Sequence, residues 1–152
     1  MITLIKNAEV YSPKYLGEQS ILLLNNKIAT VGEFNEDVLE QFGVEFKVID
    51  AVGTIVTPGF IDPHVHLLGG GGEGGFATRT PEILLSDLLK SGITTVVGLI
   101  GTDGTTRHLT SLLAKARGLE IEGVSTYIYT GNYDVPTPTI TGNVKDDAIL
   151  ID

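Results

Sequence analysis

The chain has 152 residues, 42% of them hydrophobic, with a mean hydropathy of +0.22, long enough for a core of its own and too apolar for a disordered segment. Nineteen Asp and Glu against ten Lys and Arg give a net charge of −9, which repels phosphate backbones and anionic lipid, so neither nucleic acid nor membrane is expected as a partner. The absence of cysteine excludes disulfides and thiolate metal sites; with no basic region ahead of an apolar run at the start, and no apolar stretch long enough to span a bilayer, a soluble, cytoplasmic protein is expected.

Residues 2–11 mix β-branched and apolar residues at near-alternate positions and stop at Ser12-Pro13, which predicts a strand and a turn. Residues 20–24 and 27–31 flank Asn25-Asn26, which tolerates the left-handed backbone of a tight turn, so a β-hairpin is predicted. A short helix over 37–42 ends at Gly43, and 45–50 and 54–56 read as further strands around Gly53. Residues 1–57 thus form a small β-rich segment.

From residue 58 the period changes. Pro58-Gly59-Phe60-Ile61-Asp62-Pro63-His64-Val65-His66 is an apolar strand carrying two imidazoles, followed by Leu67-Leu68 and the run Gly69-Gly70-Gly71-Gly72-Glu73-Gly74-Gly75. Thr80-Pro81 predicts a helix start, with a hydroxyl N-cap, a stripe of Leu84, Leu85, Leu88 and Leu89, and a stop at Gly92. Residues 93–100 are a continuous apolar run of strand length, covered on both faces. A second helix starts near Thr106, lines up Leu109, Leu112, Leu113, Ala116 and Leu119, and stops at Gly123; 124–130 is a third strand, and 143–152 begin another helix. Strand and helix in alternation predict a parallel α/β sheet.

Ligands of parallel α/β sheets bind beyond the carboxyl ends of the strands. His64, His66 and Glu73 follow the first strand of this region, Thr102 and Asp103 the second, Tyr133 and Asp134 the third. In an extended chain alternate side chains share a face, so His64 and His66 aim the same way, as half of a metal site or as two pocket histidines without a metal. Glu73 is either a solvated loop carboxylate or an anchor for a cationic group such as a free amine. Tyr133 either packs or donates its hydroxyl to an oxygen that gains negative charge. Thr102 reads equally as a turn cap, and Asp103 and Arg107 as surface charges. Gly69, Gly71 and Gly74 formally satisfy G-x-G-x-x-G. A dinucleotide turn, however, opens directly into a helix, and here the expected helix begins only at Thr80-Pro81. Close approach of the backbone to a ligand is the preferred use of the glycines.

Val48-Ile49-Asp50-Ala51-x-Gly53 followed by Val56-x-Pro58-Gly59-Phe60-Ile61-Asp62-x-His64-x-His66 resembles the amidohydrolase superfamily of metal-dependent hydrolases. The Gly-rich Glu73 loop, Thr78-Arg79-Thr80-Pro81-Glu82, Gly101-Thr102-Asp103 and Thr139-Ile140-Thr141-Gly142 are most similar to its isoaspartyl (β-aspartyl) dipeptidase family. The resemblance implies an α/β fold with a small N-terminal β-sandwich portion (1–57) and the first βα units of a TIM-like (β/α)8 barrel (58–152), incomplete as it stands. It implies zinc as cofactor, binuclear in the intact enzyme, with His64 and His66 as metal ligands. It assigns Glu73, Gly71 and Thr102 to substrate binding and Tyr133 to catalysis, on a β-aspartyl dipeptide whose isopeptide bond is hydrolysed.

In that family the bridging carboxylated lysine, two further histidines and a catalytic aspartate lie downstream of position 152. The expectation is therefore an N-terminal part of the enzyme, inactive alone, whose partners are the remainder of the barrel and, when intact, further copies in a homo-oligomer. The alternatives are another amidohydrolase, dihydroorotase-like or hydantoinase-like, and a non-catalytic binding module that keeps the half-barrel.

Overall fold

The computed structural model describes residues 1–151; the helix expected over 143–152 forms over Val144–Leu150, and the last expected position lies outside the described residues. The chain forms two compact units, Met1–Pro58 and Gly59 onward.

The first unit is built on β1 (Ile2–Tyr11), which pairs antiparallel with β2 (Tyr15–Leu24), itself paired with β3 (Lys27–Gly32). The predicted hairpin is present, with Asn25 at φ 55° in its turn. The other side of β1 takes two short parallel partners in succession, β4 (Phe46–Asp50) along its first half and β5 (Ile55–Val56) along its second. A bulge at Asn7, φ 62°, interrupts β1 between Ile5 and Ala8. Because side chains alternate across a strand, one extra residue exchanges the faces. Leu4 accordingly packs with Leu22 and with Leu39 of the short helix α1 (Asp37–Gln41), whereas Ala8 and Val10 pack with Ile21 and Ala51 in a separate cluster. Among the described residues every strand of this unit lies in one five-stranded sheet.

The second unit is mixed α/β. Its strands β6 (Phe60–Val65), β7 (Ile93–Gly98) and β8 (Ser125–Ile128) run parallel in the order of the chain, with α2 (Leu85–Lys90) and α3 (Leu109–Ile121) in the connections and α4 (Val144–Leu150) after β8. Val65, Leu67, Val96 and Val124 from the sheet side meet Leu88, Leu109, Leu112, Ala116 and Leu119 from the helices, the apolar stripe predicted for α3. The helix after the glycine run differs from expectation. It starts at Leu85, with the Asp87 carboxylate accepting from the Leu84 amide at 3.4 Å. Thr80 is drawn elsewhere: its hydroxyl accepts from the Gly70 amide at 2.7 Å. Of the predicted leucine stripe only Leu88 is buried, and Leu84 and Leu89 face outward. No helix among the described residues is long and apolar enough to cross a membrane.

Candidate active site at the carboxyl ends of the second sheet

His64 is the penultimate residue of β6 and is exposed, while His66 stands just past the strand end and is half-buried. Their rings meet edge to face with centroids 5.4 Å apart, so the two imidazoles converge. The His66 ring is wedged between two glycines. A Cβ at Gly101 would lie 2.9 Å from it, and one at Gly70 would lie 3.4 Å away. His66 Nδ1 is buried with no hydrogen-bond partner, a costly state for a polar atom unless something binds there.

That orphaned nitrogen, beside a second imidazole, fits a divalent transition metal, for which neutral imidazole is a common ligand. Two nitrogens are fewer than the three protein ligands of a catalytic zinc. Among the described residues no group of three or more His, Cys, Asp or Glu is placed to hold a metal ion. The fit is therefore that of a partial donor set.

Glu73 lies at the tip of the glycine-rich loop. Its carboxylate accepts from the Thr102 hydroxyl at 2.6 Å. The Thr102 hydrogen bond, together with the residue's own amide, holds the carboxyl below its ordinary pKa; burial opposes the shift, and the fields of His66 and Arg107 add to it. Glu73 is thus ionised at neutral pH, in a cleft of about 400 Å³ that Gly72, Phe76, Arg79, Thr102, Asp103 and Thr106 also line.

Two of the glycines are packed against the loop itself. A Cβ at Gly69 would lie 2.2 Å from the Thr80 carbonyl oxygen, and one at Gly71, where φ is +70°, would lie 2.4 Å from that of Thr78. The space a side chain would need is filled by the loop's own returning backbone.

Sequence reasoning missed Arg107, read as a surface charge, and left Asp103, placed beyond the second strand, with the same reading. Arg107 is 6% exposed, and it donates Nε to the Leu68 carbonyl at 3.0 Å and Nη groups to the carbonyls of Gly70, Gly71 and Thr80, each at 3.2 Å. Asp103 is an ion-pair partner of both Arg107, at 3.6 Å, and Arg79, at 3.4 Å. The hydroxyl and amide of Thr106 lower its pKa against burial, and the two arginines lower it further. The one available signal was the Asp103-x-x-x-Arg107 spacing, which suits an ion pair on a helix; here both residues precede α3. Lys115 pairs with Glu82 at 3.3 Å.

Tyr133 is 74% exposed. Its loop reaches the Thr102 loop through Asn132, whose side-chain nitrogen occupies the place of a Cβ on Gly104. The Asn132 side chain also donates to Asp134 at 2.8 Å. The structure thus brings His64 to His66, Glu73 to Thr102, and Gly71 to Arg107.

Known proteins match this arrangement. A sequence model of the amidohydrolase family matches residues 47–106. The β-aspartyl dipeptidase of Fervidobacterium islandicum AW-1 is 52% identical over 100% of this chain, with a TM-score of 0.92, and the match spans 41% of that protein; its structure in complex with β-Asp-Leu dipeptide matches with a TM-score of 0.88. A dihydroorotase of Clostridioides difficile is 36% identical over 103 residues, 66% of this chain and 22% of that protein. The chain therefore spans about a fifth of the length of such curated relatives and two fifths of the dipeptidase. On these matches the chain is similar to the amidohydrolase family over residues 47–106 and, along its whole length, to a part of β-aspartyl dipeptidase.

Proposed function

We propose that these residues are the N-terminal part of a zinc-dependent hydrolase that cleaves the isopeptide bond of β-aspartyl dipeptides. In this reading the first unit is a portion of a small β-sandwich, and β6, β7 and β8 are the first strands of a (β/α)8 barrel. The strongly exposed Ile61, Ile121, Ile149 and Leu150 are faces that further barrel elements cover. The intact enzyme is a cytoplasmic homo-oligomer.

His64 and His66 hold the metal as neutral nitrogen donors. Zinc suits such donors, and when bound it lowers the pKa of a water and polarises the amide carbonyl. Glu73, ionised, pairs with the free α-amine of the substrate in a charge-assisted hydrogen bond. Thr102 keeps Glu73 ionised and aimed, and with the Gly71 backbone it holds the aspartyl end. Tyr133, from its exposed loop, donates its hydroxyl to the scissile carbonyl oxygen as that atom gains negative charge.

The observation that supports this reading most is the Glu73 carboxylate, held ionised by Thr102 in a cleft beside the His66 loops. The cyclic amides of dihydroorotases and hydantoinases offer no free amine for it to meet. Turnover of β-Asp-Leu by the intact protein, abolished by a chelator and restored by zinc, is the expected result. Glu73→Gln is expected to cripple that turnover while leaving zinc affinity nearly unchanged. Preference for a cyclic amide that is indifferent to Glu73→Gln would favour the dihydroorotase-like reading. Residues 1–152 alone, with two metal ligands, are expected to be inactive, and metal-dependent turnover by them would contradict that assignment.

A further inference from the structure

The loop between β6 and α2 is closed by a side chain that neither metal binding nor substrate contact uses. Leu68, Gly70 and Gly71 lie on its outgoing limb and Thr80 on its returning limb, and the Arg107 guanidinium donates to the carbonyls of all of them. The returning limb also carries Arg79, which shares Asp103 with Arg107. A buried cation is costly unless its donors are all engaged. The planar guanidinium fork reaches several carbonyls at fixed angles, whereas a lysine presents its donors from one point.

We propose that Arg107 is a positioning residue for Glu73: by tying the outgoing limb of the loop to its returning limb, it fixes the tip on which the Glu73 carboxylate meets Thr102. Asp103 belongs to the same device. It follows Thr102 directly in the chain, so the carboxylate that orients the guanidinium also anchors the residue that donates to Glu73. The inference deepens the assignment of Glu73 to amine recognition and rests on it for its kinetic consequence. Its structural consequence stands apart from substrate.

Arg107→Lys keeps the charge and most of the stem and removes the fork. Hydrogen exchange on the intact protein is expected to show the amides of Gly70, Gly75, Thr78 and Thr80, all bonded within the loop, exchanging at least about tenfold faster, with β7 and β8 unchanged. With β-Asp-Leu, KM is expected to rise about tenfold or more while kcat falls much less, since the amine contact is made in ground and transition states alike. Adding Arg107→Lys to Glu73→Gln should then cost little further. Unchanged loop exchange would overturn the proposal. So would equal loss of protection in β7 and β8, which marks a general stability residue, or additive losses in the double variant. If Arg107→Lys does not fold, Asp103→Asn is expected to give the same loop-confined pattern in lesser measure, and its absence there also counts against the proposal. If the wild-type protein ignores β-Asp-Leu, the substrate reading fails, and the exchange pattern still decides the role of Arg107.

Discussion

Two loops at the carboxyl ends of the second unit's strands are each held by one buried charge, and the charges are opposite. The loop after β6 closes on Arg107, a cation whose hydrogen bonds go to carbonyl oxygens and whose ion-pair partner is Asp103. The loop after β8 closes on Asp147 of α4, 2% exposed, which accepts from the amides of Ile140 and Thr141 and from the hydroxyls of Thr130 and Thr141. Burial pushes the Asp147 pKa up, yet those hydrogen bonds more than reverse it and hold the carboxyl far below its ordinary value. In each case backbone dipoles do much of the neutralising. A loop that turns its carbonyls inward needs a cation, and one that turns its amides inward needs an anion, so the sign of the charge reports the orientation of the backbone.

The sharpest test removes the cation. Arg107→Met leaves inward-facing carbonyls and the Asp103 carboxylate short of a partner, and is expected to cost about 3–5 kcal/mol, read as a lowered urea midpoint. Asp147→Asn should come next. It keeps one acceptor oxygen but turns an amide nitrogen toward buried donors, so residues 130–141 are expected to lose exchange protection at neutral pH. The wild-type loop should also survive mild acid. A carboxyl with a depressed folded pKa contributes stability above its unfolded value, near 4, and that contribution is lost only as pH falls through the folded value. Melting of the 130–141 loop of the wild-type protein at pH 5 would break the comparison.

Glycine substitutions sharpen the contrast at smaller cost. Gly71→Ala combines φ +70° with a clash against the Thr78 oxygen, whereas Gly142→Ala, at φ +104°, meets open space. The left-handed backbone costs about 1–2 kcal/mol at each, and the first should additionally displace the Glu73 tip, visible as altered chemical shifts at Thr102. The smallest expected effect is that of Thr102→Val. Loss of its hydroxyl should raise the Glu73 pKa toward the ordinary value, measured by carboxyl NMR titration, with little change in global stability.

Much of this was legible in the residues. Alternating apolar positions around Asn25-Asn26 predict the hairpin that forms, and the leucines of 109–119 predict the buried face of α3. The His64-Val65-His66 spacing predicts imidazoles on one side, and their rings do meet. Thr80-Pro81 misled because a hydroxyl and a proline are helix-start chemistry in isolation, and here the hydroxyl serves the Gly70 amide 10 residues back. Asn7 gave no warning of its bulge, which requires the partner strand to define it.

Local periodicity, turn chemistry and the His-x-His spacing were set by neighbours a few residues apart, so the sequence by itself determined the elements and the strand end at which the imidazoles stand. Where charge is buried was decided only by the tertiary structure. Arg107 loses water because its carbonyl partners arrive from positions 27 to 39 residues away. A residue's own neighbourhood carries no record of dipoles that only folding brings to it.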